Sequence, residues 1–237
     1  MRLDVATVQL NGNTGTFRKV IRSKDGIKTE DLGPTVDIVI LRIRRQLTEF
    51  KNEKFNSTSE HNHPNDTVLY FPTQEKMSSK DLRVKYTGLR TQQILYALLN
   101  NELVRVVVKG ASLGSKNKPE DSMPFYEYLN QYEKDEHIWQ YMTSLQARPE
   151  KGKLGKYFAI HFEQGQKLPN TATKKGGLDL SVIGAKMKVL HEIFESQDNW
   201  NKIKEKESEV LPVVQIEESL GLESEPSDDI DASELFA

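Results

Sequence analysis

The sequence contains no cysteine, which excludes disulfide bonds, thiol catalysis and zinc sites built from cysteine. Long apolar runs are also missing, since no stretch approaches the roughly 20 residues needed to span a bilayer. The first ten residues, MRLDVATVQL, lack the apolar core of a secretory signal. No catalytic triad and no pair of carboxylates can be assigned from spacing. These absences predict a cytoplasmic protein that is not an enzyme and carries no cofactor.

The charge is unevenly distributed along the 237 residues. The segment from Glu217 to the end contains eight acidic residues and no Lys or Arg, so residues 1–216 carry +6 within a total of −2. Overall, 36% of the residues are hydrophobic and 29% are charged, a composition typical of a folded domain with polar extensions. The sequence therefore predicts a basic body joined to an acidic tail.

Alternating apolar residues predict strands through most of the chain. Residues 3–10 and 16–22 flank a Gly/Asn-rich turn and predict a hairpin. Residues 36–48 predict one long strand. Strict alternation would give it one apolar face, formed by Val39, Leu41, Ile43 and Leu47. The opposite face would begin with Ile38 and Ile40 and then turn polar with Arg42, Arg44 and Gln46.

A second hairpin is indicated by the segment QILYALL-NN-ELVRVVVK. Asn100 and Asn101 can adopt the positive φ angles of a type I′ turn, and β-branched residues fill the second arm. A helix over 91–99 is the alternative, because Ala97 and the leucines also favour helices. The segment 50–90 before this hairpin is polar and rich in turns, with one short strand at 66–71.

The remaining third of the chain predicts a helix, two strands and a final long helix. Aromatic residues at helical spacing favour a helix over 122–134, and strands are predicted at 137–146 and 156–164. The predicted organisation is a domain over 1–165, a linker over 166–179, a helix over 180–207 and a disordered acidic tail over 208–237.

The order of elements from residue 36 onward is three strands, a helix and two strands. This is the order found in the OB-fold, a small Greek-key barrel that binds oligonucleotides on one face. The predicted fold is therefore mainly β (α+β). It is an OB-like Greek-key barrel with an N-terminal hairpin, the 50–90 insertion, a C-terminal helix and a disordered tail.

An OB-like barrel, a basic body and an acidic C-terminus with an apolar tip together resemble the single-stranded DNA-binding proteins of bacterial and phage replication systems. The tail residues that carry the resemblance are Asp228, Asp229, Asp231, Glu234, Leu235 and Phe236. The resemblance implies a protein that coats single strands during replication and recombination, and whose tail recruits other replication or recombination proteins. It leaves the oligomeric state open.

Binding of single strands requires cations for the phosphates and aromatic rings for the bases. The predicted stacking residues are Trp139, Tyr141 and Tyr157, on the strand faces that alternation turns away from the core. The predicted cations lie on strands and in two loops: Arg42, Arg44, Arg105, Lys109, Lys116, Lys118, Lys151, Lys153 and Lys156. The alternative for the aromatic residues is packing beneath the C-terminal helix.

Two further interpretations remain open. The protein could be an interaction scaffold without nucleic-acid binding, with Leu235 and Phe236 as a peptide ligand for a partner's groove. His61 and His63 could belong to a metal site, but no third ligand follows at a characteristic spacing, and a turn capped by its own side chains is favoured.

Overall fold

The computed structural model describes residues 5–24, 26–51, 53–114, 123–132, 136–152, 155–170 and 178–210, with side chains up to residue 196. It confirms a mainly β protein. The strands are β1 Thr7–Asn11, β2 Thr16–Ser23, β3 Gly26–Gly33, β4 Thr35–Lys51, β5 Lys54–Ser57, β6 Thr67–Tyr70, β7 Glu75–Ser78, β8 Arg90–Leu99, β9 Glu102–Val108, β10 Tyr141–Gly152 and β11 Gly155–Lys167. The helices are α1 Ser79–Lys85, α2 Phe125–Asn130 and α3 Leu180–Val210.

One large mixed sheet contains nine of the strands, in the order β11-β10-β4-β8-β9-β1-β2-β3, with β5 paired to β4. All its pairs are antiparallel except β1 with β9, which run parallel. Among the described residues, no ladder joins the two end strands β11 and β3, so the sheet is not closed. A backbone hydrogen bond joins β11 to the β1–β2 turn, from the Phe158 N–H to the Gly12 carbonyl at 2.8 Å.

The main core lies on one side of this sheet. Buried residues of β1, β2, β4, β8, β9, β10 and β11 meet there, and α2 adds Phe125 and Tyr128. Apolar residues of β4 and β8 line the opposite side, where α3 covers them with Ile183, Leu190 and Phe194, which are at most 2% exposed. The three residues recur at helical spacing, so one side of α3 is buried.

Both predicted hairpins are confirmed. In each of them, the first strand begins a few residues away from its predicted start. Asn100 and Asn101 have φ angles of 50° and 67°, as a type I′ turn requires, and β8 and β9 pair in regular register. The helical alternative for 91–99 is therefore wrong. Hydrogen bonding across the ladder and burial of both faces of β8 outweigh the helix propensity of Ala97 and the leucines.

The predicted faces of β4 are wrong, because the strand contains a β-bulge. Ile40 pairs with Ala97 and Arg42 pairs with Tyr96, so Leu41 is an extra residue without its own partner on β8. Side chains after Leu41 therefore switch faces. Val39 and Leu41 pack against α3, whereas Ile43 packs into the main core. Arg42, Arg44 and Gln46 share the α3 side with Val39 and Leu41.

A second correction concerns the start of β10. Ile138–Gln140 forms a 3-10 turn, and the strand begins only at Tyr141. The alternation predicted from residue 137 is therefore interrupted. Thr143 points toward α2, where its hydroxyl lies 2.8 Å from the Tyr128 hydroxyl, and Met142 lies on the α3 side. Tyr141, two residues before Thr143, therefore lies on the side of the main core, and its predicted orientation away from the core is wrong.

The insertion between β4 and β8 has a small core of its own, with Leu47, Val68, Tyr70, Leu82 and Leu89 all buried. The strand predicted at 66–71 is confirmed as β6, and β5, β7 and α1 were not predicted. The His61–Asp66 segment is a turn, as expected. The Asp66 carboxylate accepts hydrogen bonds from the Asn62 and His63 backbone N–H groups at 2.9 and 2.8 Å.

Candidate nucleic-acid interface

The predicted site residues do not form one open surface. Arg44 and Arg105 are buried, with exposed fractions of 3% and 4%, and Tyr141 is 8% exposed. Arg42 and Trp139 are half-buried on the side of the sheet that α3 covers. Five of the predicted contacts are therefore covered by other parts of the chain.

Arg44 and Arg105 belong to a polar cluster around Glu60. The Arg105 Nε–H donates to Glu60 Oε1 at 3.0 Å, and the Tyr96 hydroxyl donates to Glu60 Oε2 at 2.8 Å. Arg44 donates from an NH2 group to the Glu60 carbonyl at 2.8 Å. Burial, reinforced by the nearby Glu60 charge, raises the pKa of Tyr96. The Glu60 carboxylate is thus shared by two buried guanidinium groups, at 3.0 Å from Arg105 Nε and 4.0 Å from Arg44 Nε.

The middle of α3 packs against the same cluster. The Phe194 ring centroid is 4.5 Å from the Arg44 guanidinium carbon and 5.0 Å from that of Arg42, both within cation–π range. The Tyr96 ring packs against Phe194 with centroids 4.9 Å apart. Arg42 also contacts His191 of α3, at 3.3 Å between Nη1 and Nδ1. We call these four groups, Arg42, Arg44, Tyr96 and Phe194, the arginine slot.

Trp139 and Tyr141 lie in different packing environments. Trp139 stacks on His137, with ring centroids 5.4 Å apart, and packs with the residues beneath α3. Tyr141 packs against Tyr132 on the side of the main core, and its hydroxyl donates to Glu136. This hydrogen bond is the main cause of the raised Tyr141 pKa. The 3-10 turn between the two residues explains their separation.

Three of the predicted contact residues, Lys151, Lys156 and Tyr157, lie together at the tip of the β10–β11 hairpin. Lys151 and Lys156 are opposite each other in the ladder, and both are exposed. Next to them the half-buried Tyr157 donates from its hydroxyl to Glu150 Oε2 at 2.7 Å, and this hydrogen bond raises the pKa of Tyr157 to about 12. Lys109 is exposed at the end of β9. Lys116, Lys118, Lys153 and all six tail residues lie outside the described residues.

A set of exposed aromatic residues that sequence analysis did not identify lies on the insertion. Phe50 and Phe55 are directly opposite each other in the β4–β5 hairpin and are 41% and 53% exposed. Phe71 is 43% exposed, and its N–H donates to the Ser57 carbonyl at 3.1 Å. Ser57 therefore lies opposite Phe71. Because alternate residues of a strand share a face, Phe55 and Ser57 point the same way. The three rings therefore follow one side of the hairpin.

Two lysines accompany these rings. Lys51 and Lys54 are opposite each other in the next register pair, at the tip of the β4–β5 hairpin, and both are exposed. We call Phe50, Phe55, Phe71, Lys51 and Lys54 the aromatic platform. The palindromic pattern F-K-N-E-K-F could have revealed it, since a two-residue turn between the lysines places the phenylalanines opposite each other.

The platform is supported by buried hydrogen bonds. The Tyr70 hydroxyl donates to Glu49 Oε1 at 2.5 Å, and the Asn56 side chain donates to the same oxygen at 3.3 Å. Burial and the Glu49 hydrogen bond raise the pKa of Tyr70. Glu49 precedes Phe50 and Tyr70 precedes Phe71, so this pair fixes the backbone on both sides of the exposed rings. Such anchoring lowers the conformational entropy that a ligand would have to remove.

Comparisons with family models, curated proteins and solved structures gave no match to this chain. Within the described ranges, no group of three or more potential metal-ligating side chains is positioned to hold a metal ion. The helices of the same ranges include none that is both long and apolar enough to cross a membrane.

Proposed function

We propose that the protein binds single-stranded DNA and that the aromatic platform is its main contact with unpaired bases. The observation that carries the proposal is the row of three exposed phenylalanine rings beside Lys51 and Lys54. Soluble proteins seldom leave large apolar side chains clustered at the surface unless the cluster binds something. Adjacent lysines favour a ligand that combines apolar faces with negative charge.

Single-stranded nucleic acid has this combination. Each unpaired base offers a flat ring that can stack on phenylalanine, and each phosphate offers a charge for lysine. In a duplex the faces of the bases are already stacked on one another, so the platform favours unpaired strands. The insertion as a whole is also basic, because residues 50–90 contain seven Lys or Arg and five Asp or Glu.

The strand order supports the proposal at the level of fold. Strands β4, β8 and β9 follow each other, and β10 returns to pair with β4 after α2, which is the spatial order of a Greek key. We interpret these four strands, with β11, as the strands of an OB-like fold. In this interpretation β1 pairs with the edge of β9 that would otherwise be free. The β1–β2 hairpin then lies in the remaining gap between β9 and β11. The platform then lies in the loop between the first two barrel strands, and Lys151 and Lys156 lie in the loop between the last two. Both loops bind oligonucleotides in OB-folds.

The acidic tail completes the proposed function. We propose that Asp228, Asp229, Asp231 and Glu234, with the Leu235–Phe236 tip, recruit replication or recombination proteins and compete with DNA for the basic body. Deletion of residues 217–237 should then tighten DNA binding and abolish recruitment. Unchanged affinity after the deletion would contradict the competition.

A titration of fluorescent oligo-dT tests the platform directly. Replacing both Phe50 and Phe55 with alanine should weaken binding by about tenfold or more, since each stacked base contributes about 1–3 kcal/mol. Val84→Ala is the matched control, because Val84 is 77% exposed on α1 of the same insertion and lies outside the platform.

The same titration with a duplex of equal length tests selectivity. Binding should be weaker for the duplex than for oligo-dT at every salt concentration. Absence of binding to oligo-dT at low salt would overturn the proposal and favour the scaffold interpretation. Equal loss of affinity in Val84→Ala and in the double variant would show that the platform is not the contact.

A further inference from the structure

The large sheet ends in two edge strands, β11 and β3, and other parts of the chain occupy the outer side of β11. The N–H groups of Phe158, Ile160 and Phe162 alternate along that side. They donate to the β1–β2 turn, to the 3-10 turn after β9 and to the segment just before α2, at 2.8, 2.8 and 2.9 Å. These hydrogen bonds prevent another strand from pairing there, which is one way in which proteins protect a sheet edge.

No strand of the described residues pairs with the outer side of β3. On its inner side β3 pairs with β2, from Phe17 to Ser23. Residues 26–31 are all exposed, and the strand contains no proline that would interrupt pairing. The outward N–H and C=O groups of β3 are therefore accessible to a further strand.

The first half of β3 belongs to a ribbon that extends past β1. Strand β2 pairs with β1 only as far as Val20, whereas β2 and β3 continue to the pair of Ser23 with Gly26. On this ribbon Ile21 and Ile27 are 36% and 48% exposed. Two strands alone are marginally stable in water, and three or more strands with an apolar face are needed for independent stability. Pairing of two such ribbons would therefore stabilise both of them.

The sequence of β3 is complementary to itself in one symmetric arrangement. In a dimer with a two-fold axis perpendicular to the sheet, two antiparallel copies of a strand are centred on one residue, because opposite side chains must share a face. Centring on Thr29 places Lys28 of each copy opposite Glu30 of the other. Ile27 then lies opposite Asp31, so no like charges are opposite each other. Centring on Lys28 or on Glu30 would place like charges opposite each other at the axis, which is destabilising.

We infer that β3 is the interface of a homodimer, in which two copies pair antiparallel along the outer side of β3 with the two-fold axis at Thr29. This inference goes beyond the proposed function and does not depend on nucleic-acid binding. Residues 26–32 of each copy form the ladder, with a Lys28–Glu30 ion pair on each side of the axis. Glu30 is accessible for this pairing, because its side chain is 60% exposed and its Oε2 lies 3.9 Å from Lys19 Nζ. The interface is small, so we expect a dissociation constant between about 1 µM and 1 mM.

Charge reversal tests the register through the dissociation constant of the full chain, measured by sedimentation velocity over a series of protein concentrations. Lys28→Glu should weaken dimerisation by about tenfold or more, because both attractive pairs become repulsive. Glu30→Lys should have the same effect. The double variant Lys28→Glu/Glu30→Lys exchanges the two charges, so it should dimerise about as tightly as the unchanged chain. Lys80→Glu is the control, because Lys80 is exposed on α1 of the insertion, and it should leave dimerisation unchanged.

Three results of this experiment would overturn the inference. The first is a chain that stays monomeric up to about 1 mM. The second is a dimer that neither single reversal weakens, since the interface would then lie elsewhere. The third is a double variant that dimerises as weakly as the single variants, since the register centred on Thr29 would then be wrong. Lys28 and Glu30 are both exposed, so all variants should keep the circular dichroism spectrum of the unchanged chain.

Disulfide formation tests the position of the axis. The chain has no cysteine, so Thr29→Cys introduces a single thiol that faces its counterpart in the second copy. Opposite residues of an antiparallel pair have Cα atoms about 4.5–5.5 Å apart, within the range that a disulfide spans. Mild oxidation of Thr29→Cys should therefore give a covalent dimer faster than oxidation of Thr73→Cys, at an exposed residue of the insertion. Equal rates in the two variants would overturn the inference.

Discussion

The arginine slot and the aromatic platform combine the same kinds of side chain with opposite exposure. In the slot, the guanidinium groups of Arg42 and Arg44 lie against the Phe194 ring, and the Glu60 carboxylate is 4.0 Å from Arg44 Nε. On the platform, Phe50, Phe55 and Phe71 remain at least 41% exposed beside two lysines. The comparison shows that residue type alone does not define a binding surface. What covers each residue decides whether it stabilises the fold or is available to a ligand.

The largest expected effect comes from removing the Glu60 charge beside the slot. Glu60→Gln should lower the free energy of unfolding by about 3–5 kcal/mol, because the buried Arg105 would lose the carboxylate charge that lies 3.0 Å from its Nε. Urea denaturation measures this loss. The control is Glu102→Gln, whose carboxylate is 66% exposed and pairs with Lys19, and which should cost less than about 1 kcal/mol. Equal losses of stability in the two variants would show that Glu60 is not part of a buried charge cluster.

The support of the platform should have an intermediate effect. Tyr70→Phe removes the hydroxyl that donates to Glu49 and should lower the free energy of unfolding by about 1–3 kcal/mol. Tyr157→Phe is a suitable control, because the half-buried Tyr157 hydroxyl also donates to a carboxylate, that of Glu150 at 2.7 Å, at the tip of the β10–β11 hairpin. If the two variants were equally stable, the Tyr70–Glu49 contact would not be the anchor described above.

The platform lysines should affect binding and leave stability almost unchanged. Replacing Lys51 and Lys54 with glutamine should change the free energy of unfolding by less than about 0.5 kcal/mol, since both are exposed. The slope of log affinity for oligo-dT against log salt should become shallower by about 1.4, which corresponds to two lost phosphate contacts. An unchanged slope would remove the lysines from the interface.

The smallest expected effect concerns pH and the tip of the β10–β11 hairpin. The hydrogen bond to Glu150 raises the pKa of Tyr157 to about 12, so the folded state holds this proton more tightly than the unfolded state, whose pKa is near 10. The contribution is fully present below pH 10 and is lost as the pH rises toward 12. Tyr157→Phe should make the decline in stability over this interval less steep. An identical decline in the variant would contradict the assignment.

The parts of the fold that local pattern determines were predictable. Asn100 and Asn101 identify their turn because few residues tolerate two successive positive φ angles, and the spacing of Ile183, Leu190 and Phe194 identifies the buried side of α3. The bulge at Leu41 was not predictable, because the sequence continues to alternate and only pairing with β8 reveals the extra residue. Since every later side chain of β4 changes face, this one residue accounts for the wrong placement of Arg42 and Arg44.

The exposed and buried aromatic residues could not be distinguished for a related reason. Trp139 and Phe50 both occur in segments that alternate, and the difference between them arises from which other segment covers each one. Coverage depends on contacts between residues far apart in the chain. The platform residues nevertheless form a local pattern, and their symmetrical spacing was available in the sequence.

The parallel pairing of β1 with β9 has a consequence for synthesis on the ribosome. Thr7 is opposite Arg105, so about a hundred further residues must be synthesised before β1 can pair with β9. At ordinary translation speeds this delay is about 5–20 seconds. During that interval β1, β2 and β3 can form a local meander, but the outer side of β1 has unpaired N–H and C=O groups available to neighbouring nascent chains. We therefore expect the nascent chain to depend on chaperones only until β9 has emerged from the ribosome.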